Sequence, residues 1–305
     1  MKDSGRPVLR HNALVYANDE QYVGQAVPFL LEGLEAGHGA VVAATRSGLA
    51  VLRDALGADA GSVTFVDVSF SYTRPARTLA AYHAVYADEL TRHPFVRAVA
   101  DVQFGPEPRE WDLWTGYEAV FNRAFASVPA WVLCTYAGEH LPDPVREGVW
   151  RTHAEVLTED GWRASHRFDD PDRVLRAATS PPEPLPDLHP IPLEGGIDLV
   201  RERLARAMEA EHVPRRKVVD LLLAVTEVVA NADQHGGGVA VVRVGSCGGR
   251  FVCEVVDRGH GFDDPGVGYV PPGDGDGAGL WIARQLIWQV DFFRGPDGFT
   301  ARMRF

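Results

Sequence analysis

Through the first half of the chain, short runs of apolar residues alternate with stretches in which apolar residues recur every three to four positions. The runs at 11–16, 40–45, 63–68, 95–102 and 130–136 predict strands. The periodic segments 19–36, 48–57, 76–92 and 111–127, with a last one near 143–158, predict amphipathic helices. Strands that are apolar at every position are covered on both faces, which predicts a mostly parallel sheet between helices. Ligands of such sheets gather beyond the carboxyl ends of the strands. Those ends carry Tyr16-Ala-Asn18, Thr45-Arg46-Ser47, Asp101-Val-Gln103 and Cys134-Thr-Tyr136. Lone polar residues there, Asp101 and Cys134 included, are read first as turn formers and structural groups. Trp111, Trp114, Trp131, Trp150 and Trp162 are read as packing surface, with the wall of an organic-ligand pocket as the alternative.

The pattern breaks at 166–187, where Pro171, Pro181, Pro182, Pro184 and Pro186 stand among small and acidic residues, the composition of a semi-rigid linker. This sets a first domain at 1–165 and a second at 188–305. A strand at 188–193 is followed by helices at 196–211 and 214–235. Strands at 239–244 and 250–256, joined by Gly245-Ser-Cys-Gly-Gly249, read as an antiparallel hairpin. A glycine-rich region, a helix at 278–288 and a final hairpin of 289–293 with 300–305 complete a layer of helices on one face of a mixed sheet.

A chain of 305 residues with 46% hydrophobic content has ample core for two domains. Its net charge of −12 and its lack of basic clusters other than Arg215-Arg216-Lys217 argue against direct nucleic-acid binding. Lys2 and Lys217 are the only lysines, and neither follows the glycine loop of a P-loop, so any nucleotide must be held by another phosphate cradle. No apolar run approaches the roughly 18 residues of a membrane span, and the first residues lack a signal-peptide core, so no membrane association and a cytoplasmic location are expected. Cys134, Cys247 and Cys253 contain no C-x-x-C pair, which argues against a disulfide framework or a cysteine-based zinc motif.

The chemistry concentrates in the second domain. Glu227, Asn231 and His235 follow one another at four-residue steps on one helix and share a stripe, which alone describes many solvated helix faces. Downstream stand Asp257-Arg-Gly259-His-Gly261 and Gly275-Asp-Gly277-Ala-Gly279-Leu280, the latter opening a helix. An Asp at a strand end can accept the amino group of adenine, and Gly259 and Gly261 let backbone pass close to a purine. Gly277 and Gly279 expose amides at a positive helix end. Asn231 offers an oxygen to Mg²⁺, and Glu227 stands where it can take a proton. Competing motifs fail: an EF-hand begun at Asp274 would place Ala278 at its fifth position and Gln285 at its twelfth, and a dinucleotide fingerprint lacks its third glycine at Leu280.

The segment Ala224-Val-Thr-Glu227-Val-Val-Ala-Asn231-Ala-x-x-His235-Gly together with Gly279-Leu-Trp-Ile-Ala-Arg284-Gln-Leu resembles the GHKL (Bergerat-fold) ATPases, and within them the anti-sigma-factor serine kinases. That resemblance implies a two-layer α/β sandwich that binds ATP with Mg²⁺. Glu227 would be the general base, Asn231 the Mg²⁺ ligand, and Asp257 the adenine reader. The box glycines are then Gly259, Gly261, Gly275, Gly277 and Gly279, followed by Leu280; His235 and Arg284 are phosphate-side candidates, and Phe262 to Asp274 a short lid. In the first domain, His11-x-x-Leu-Val-Tyr16, Val27-Pro28-Phe29-Leu30-x-x-Gly33-Leu-x-x-Gly37 and Trp131-x-x-Cys134-x-Tyr136 resemble the MEDS sensory domain, a RecA-like fold without a working P-loop. The chain departs from its relatives after the fourth strand, where Gln103-Phe-Gly-Pro-Glu107-Pro stands in place of a carboxylate-Pro loop. The two resemblances imply a regulator of transcription whose partner is a sigma factor and/or a STAS-domain anti-sigma-factor antagonist. They leave open a small-molecule ligand at the first domain and a homodimer. The alternatives are an ATP-binding switch without catalysis and, behind it, a sensor histidine kinase. None of the 11 histidines has the acid and proline context of a phosphoacceptor helix; His153-Ala-Glu and His212-Val-Pro come nearest.

Overall fold

A computed structural model describes residues 9–70, 74–138, 141–178, 185, 187–271 and 277–305. The chain divides into two compact units, the first ending at Ala178 and the second running to Phe305.

In the first unit, β1 (Arg10–Tyr16), α1 (Asp19–Glu35), β2 (Gly39–Ala44), α2 (Arg46–Leu56), β3 (Val63–Asp67), α3 (Pro75–Leu90), β4 (Val96–Asp101), α4 (Pro108–Ala124) and β5 (Ala130–Ala137) alternate as the hydrophobic pattern requires. The sheet order is β3-β2-β4-β5-β1, with every one of these pairings parallel. All six residues of β2 are buried, the mark of a strand covered on both faces. On one face Leu14, Val42, Val99 and Leu133 pack against Tyr22, Ala26 and Leu30 of α1 and Leu52 of α2. On the other, His11 lies 4.8 Å from the Phe121 ring of α4, which stacks on Phe125 at 4.3 Å.

The strand-end polar residues are structural. Asn18 accepts from the Gln21 N–H at 3.0 Å and caps α1, while Thr45 caps α2. Asp101, 7% exposed, accepts from the Tyr22 hydroxyl at 2.8 Å and the Thr135 hydroxyl at 2.6 Å. Burial pushes its carboxyl above the usual range, and those two bonds oppose the shift. Asp101→Ala strands the Tyr22 hydroxyl and leaves the Thr135 hydroxyl only its 3.4 Å bond to the Ala100 carbonyl, so thermal or denaturant unfolding of this variant is expected to show a loss of about 1–3 kcal/mol.

Two expectations are corrected here. The helix read over 143–158 is α5 (Asp143–Thr152), and the residues after it form a hairpin of β6 (Glu155–Thr158) and β7 (Gly161–Ala164). Strand β6 adds to β1 in parallel, and β7 closes the sheet as an antiparallel edge. Gly161, at φ 97°, makes the turn, and Val156 and Leu157 are buried as strand residues. Within the expected linker, Pro171–Ala178 forms α6, whose Val174 and Leu175 are 1% exposed. Gly116 on α4 leaves the space that Leu175 fills, so this segment is part of the first unit's core.

The second unit comprises β8 (His189–Ile191), α7 (Gly196–Ala210), α8 (Arg215–His235), β9 (Val239–Cys247), β10 (Arg250–Asp257), α9 (Ala278–Leu286), β11 (Gln289–Gly295) and β12 (Gly298–Arg304). Its five-stranded sheet runs β11-β12-β10-β9-β8, and all pairings are antiparallel rather than mixed. Alternate strand residues Val242, Cys253, Val255, Ala301 and Met303 form one core with Leu204 and Met208 of α7, Leu221, Ala224 and Val225 of α8, and Ala283 of α9. Two layers result, with three helices on one face of the sheet. No helix among the described residues is long and apolar enough to cross a membrane.

Candidate functional site

Helix α8 buries Leu221, Ala224, Val225, Val228 and Ala232, and this apolar stripe turns Glu227 and Asn231 to its flank, where both are half-buried. The Asn231 amide nitrogen donates to the Glu227 carbonyl at 2.8 Å. A carbonyl only accepts, so the bond fixes the amide's orientation and leaves Oδ1 as a spare oxygen beside the Glu227 carboxylate.

Helix α9 meets this pair at a glycine. A Cβ on Gly279 would lie 2.7 Å from Asn231 Nδ2 and 2.8 Å from Glu227 Oε2, so a side chain here would displace the ends of both residues. Two residues earlier, Gly277 adopts φ 126°, a conformation L side chains rarely enter, and no side chain among the described residues caps the N-terminus of α9. The free amides of the first turn and the helix dipole therefore present positive potential beside the carboxylate and carboxamide.

The third piece is the end of β10. Asp257 Oδ1 accepts from the Gly259 N–H at 2.7 Å, which folds the chain back and leaves Oδ2 with no partner among the described residues. A Cβ on Gly236 would stand 2.7 Å from that Oδ2, and one on Gly259 would stand 2.7 Å from the Gly236 Cα. Gly236, the C-cap of α8, is thus needed for the aspartate to occupy its place. The signal for this close approach in the sequence is the Gly236-Gly237-Gly238 run that follows α8. Gly261, at φ 66°, lies against the Phe299 ring.

The remaining expected residues have other surroundings. Gly275 lies outside the described residues. Leu280 packs against the domain core. His235 is exposed in the last turn of α8, and no contact among the described residues ties it to Glu227 or Asn231. Arg284, expected on the phosphate side, is 6% exposed and faces inward. Its Nε donates to the Val267 carbonyl and its Nη1 to the Val290 carbonyl, both at 2.8 Å, and its guanidinium lies 3.9 Å from the Tyr269 ring centre. It thereby fastens residues 262–271 of the segment expected as a lid, where Tyr269 is 5% exposed and Gly268 sits against the Leu280 carbonyl; 272–274 of that segment lie outside the described residues. Arg284→Ala leaves two carbonyls without donors and Tyr269 without its cation. A drop of roughly 2–4 kcal/mol in unfolding free energy is the expected result, with faster proteolysis in 262–271 as the local readout.

The first unit carries an open concavity. An open groove of about 1520 Å³ lies beyond the carboxyl ends of β1 and β5, lined among others by Tyr16, Asn18, Gly138, Arg146, Trp150 and Trp162. This is where a parallel sheet places its ligands. Of the tryptophans expected as pocket wall or packing surface, Trp150 and Trp162 line the groove. Trp114 is buried, and Trp131 meets Phe29 edge-on at 5.2 Å.

Comparison with known families agrees with both halves. Residues 10–154 match the MEDS family model, the methanogen/methylotroph, DcmR sensory domain. Residues 193–305 match the model of the histidine kinase-like ATPase domain. No curated protein matches the chain. Among solved structures, the cytoplasmic domain of EssC is similar at 16% identity and a TM-score of 0.29, over 48% of this chain and 30% of that one, too slight a likeness to bear on fold or function. The chain carries a MEDS sensory domain followed by a histidine kinase-like ATPase domain.

Proposed function

We propose that the second domain binds ATP with Mg²⁺ and that the protein acts as an anti-sigma factor, a serine/threonine kinase of a STAS-type anti-sigma-factor antagonist, or both, with the first domain as signal input. The observation that carries this reading is the closure at Gly279, which sets Glu227 and Asn231 beside the first turn of α9. Asp257 Oδ2 would hold the adenine amino group, the amides after Gly277 the phosphates, and Asn231 Oδ1 the Mg²⁺. Mg²⁺ bound there would neutralise charge on the phosphates. Glu227 Oε2 would accept the proton of a serine or threonine hydroxyl brought to the site by the partner. The 1520 Å³ groove would admit a small organic effector of the first domain.

Incubating the full chain with γ-labelled ATP, Mg²⁺ and a purified STAS-domain antagonist is expected to place label on a serine or threonine of the antagonist. Tight ATP binding with no labelled partner would replace this reading with that of a non-catalytic switch. Label on a histidine of the chain itself would favour a histidine kinase.

A further inference from the structure

A buried cluster in the first domain, which takes in His11 and Cys134 of the motifs quoted above, has the composition of a metal centre. His11 from β1, Glu118 from α4, Cys134 from β5 and His153, the C-cap of α5, come together from four elements. One ligand atom from each lies within 4.8 Å of all the others. The four are 6%, 3%, 4% and 0% exposed. His11 Nε2 is 3.1 Å from Cys134 Sγ and 3.2 Å from Glu118 Oε2; Cys134 Sγ is 3.8 Å, and His153 Nε2 3.7 Å, from that same oxygen. A tetrahedral zinc ion with bonds of about 2.0–2.3 Å separates its ligands by roughly 3.3–3.8 Å.

The orientation of both imidazoles is fixed from behind. The Asn122 amide nitrogen donates to the Thr152 carbonyl at 2.7 Å and the Glu118 carbonyl at 3.2 Å, so its Oδ1 must face the other way. That oxygen accepts from His11 Nδ1 at 3.1 Å, while His153 Nδ1 donates to the Val149 carbonyl at 3.0 Å. Each ring spends its proton on Nδ1 and aims the lone pair of Nε2 at the centre, the second-sphere arrangement that holds metal-binding histidines. Among the described residues, His153 Nε2 and Glu118 Oε1 have no hydrogen-bond partner, an uncommon condition for groups this deeply buried.

We propose that His11, Glu118, Cys134 and His153 bind one divalent transition-metal ion of the zinc class, tying β1, β5, α4 and α5 together inside the sensory domain. Two neutral imidazoles, a thiolate and a carboxylate around a divalent ion sum to zero charge, which suits an apolar interior. Binding displaces the Cys134 thiol proton, and the Glu118 carboxyl proton where present, to solvent; no electron is transferred. Nitrogen, sulfur and oxygen ligands in this mixture select zinc, cobalt or ferrous iron over magnesium or calcium.

The test is cobalt substitution of the chelator-treated full chain, read by absorption. The expected result is saturation at one Co²⁺ per chain with the visible bands of a four-coordinate ion and a near-ultraviolet sulfur-to-cobalt band. Added Zn²⁺ should bleach both. Cys134→Ser should abolish the sulfur band, whereas Cys247→Ser, at an exposed position, should leave it unchanged. Folded wild-type protein that develops no visible bands overturns the proposal, as does a sulfur band that survives Cys134→Ser. The wild-type titration decides even where a buried variant fails to fold, and ATP enters none of these measurements.

Discussion

Glu227→Gln is expected to lower phosphoryl transfer to the antagonist by about 10²–10⁴-fold, the usual worth of a positioned general base, while ATP affinity stays near that of the wild type. Glutamine keeps the length and shape that Gly279 accommodates, and the Asn231 bond to the residue 227 carbonyl is a backbone contact that the change leaves alone. What is lost is the carboxylate's capacity to take a proton. Single-turnover transfer rates at saturating labelled ATP, beside equilibrium binding of the nucleotide, separate the two effects. A variant with wild-type transfer removes Glu227 from the chemistry; one that loses binding instead makes it a ligand.

The second large effect is expected at Asp257. Its Oδ1 is occupied by the Gly259 N–H, and its Oδ2 is the free acceptor. Asp257→Asn preserves the first bond and, with the amide oxygen held there, turns a donor toward the place of the adenine amino group. A charged acceptor becomes an opposing donor, at a cost of about 1.5–3 kcal/mol, or roughly 10- to 150-fold in Kd. The effect should be large for ATP and absent for inorganic triphosphate. Equal losses for both would mean that the substitution disturbs the fold around Gly236 and Gly259 rather than base recognition.

What the chain reveals before folding, and what it withholds, follows from the range of the interactions. Glu227 and Asn231 share a flank because helical geometry alone fixes steps of four residues, while Gly277 marks a backbone that L side chains rarely adopt and Gly279 a close approach to that pair. The partnership of Gly236 with Asp257 is invisible in sequence because it joins a helix end to a strand end across a turn of the fold. The inward placement of Arg284 is hidden for a similar reason. Its two carbonyl acceptors, at Val267 and Val290, have no side-chain signature, so a helix-borne arginine after a glycine box reads as a phosphate ligand. The short apolar run at Val156 and Leu157 suits a helix or a strand equally; the open edge of β1 decided between them. Likewise, the cysteine pattern carries no zinc motif, yet Cys134 meets His11 and His153 because a parallel sheet and its helices converge there.

The most direct measurement is a crystal structure of the full chain with a non-hydrolysable ATP analogue and Mg²⁺. The expected density places the adenine amino group on Asp257 Oδ2, the phosphates at the amides following Gly277, and the ion on Asn231 Oδ1. A nucleotide bound elsewhere, or one that leaves Asp257 and Asn231 untouched, contradicts the assignment of this site.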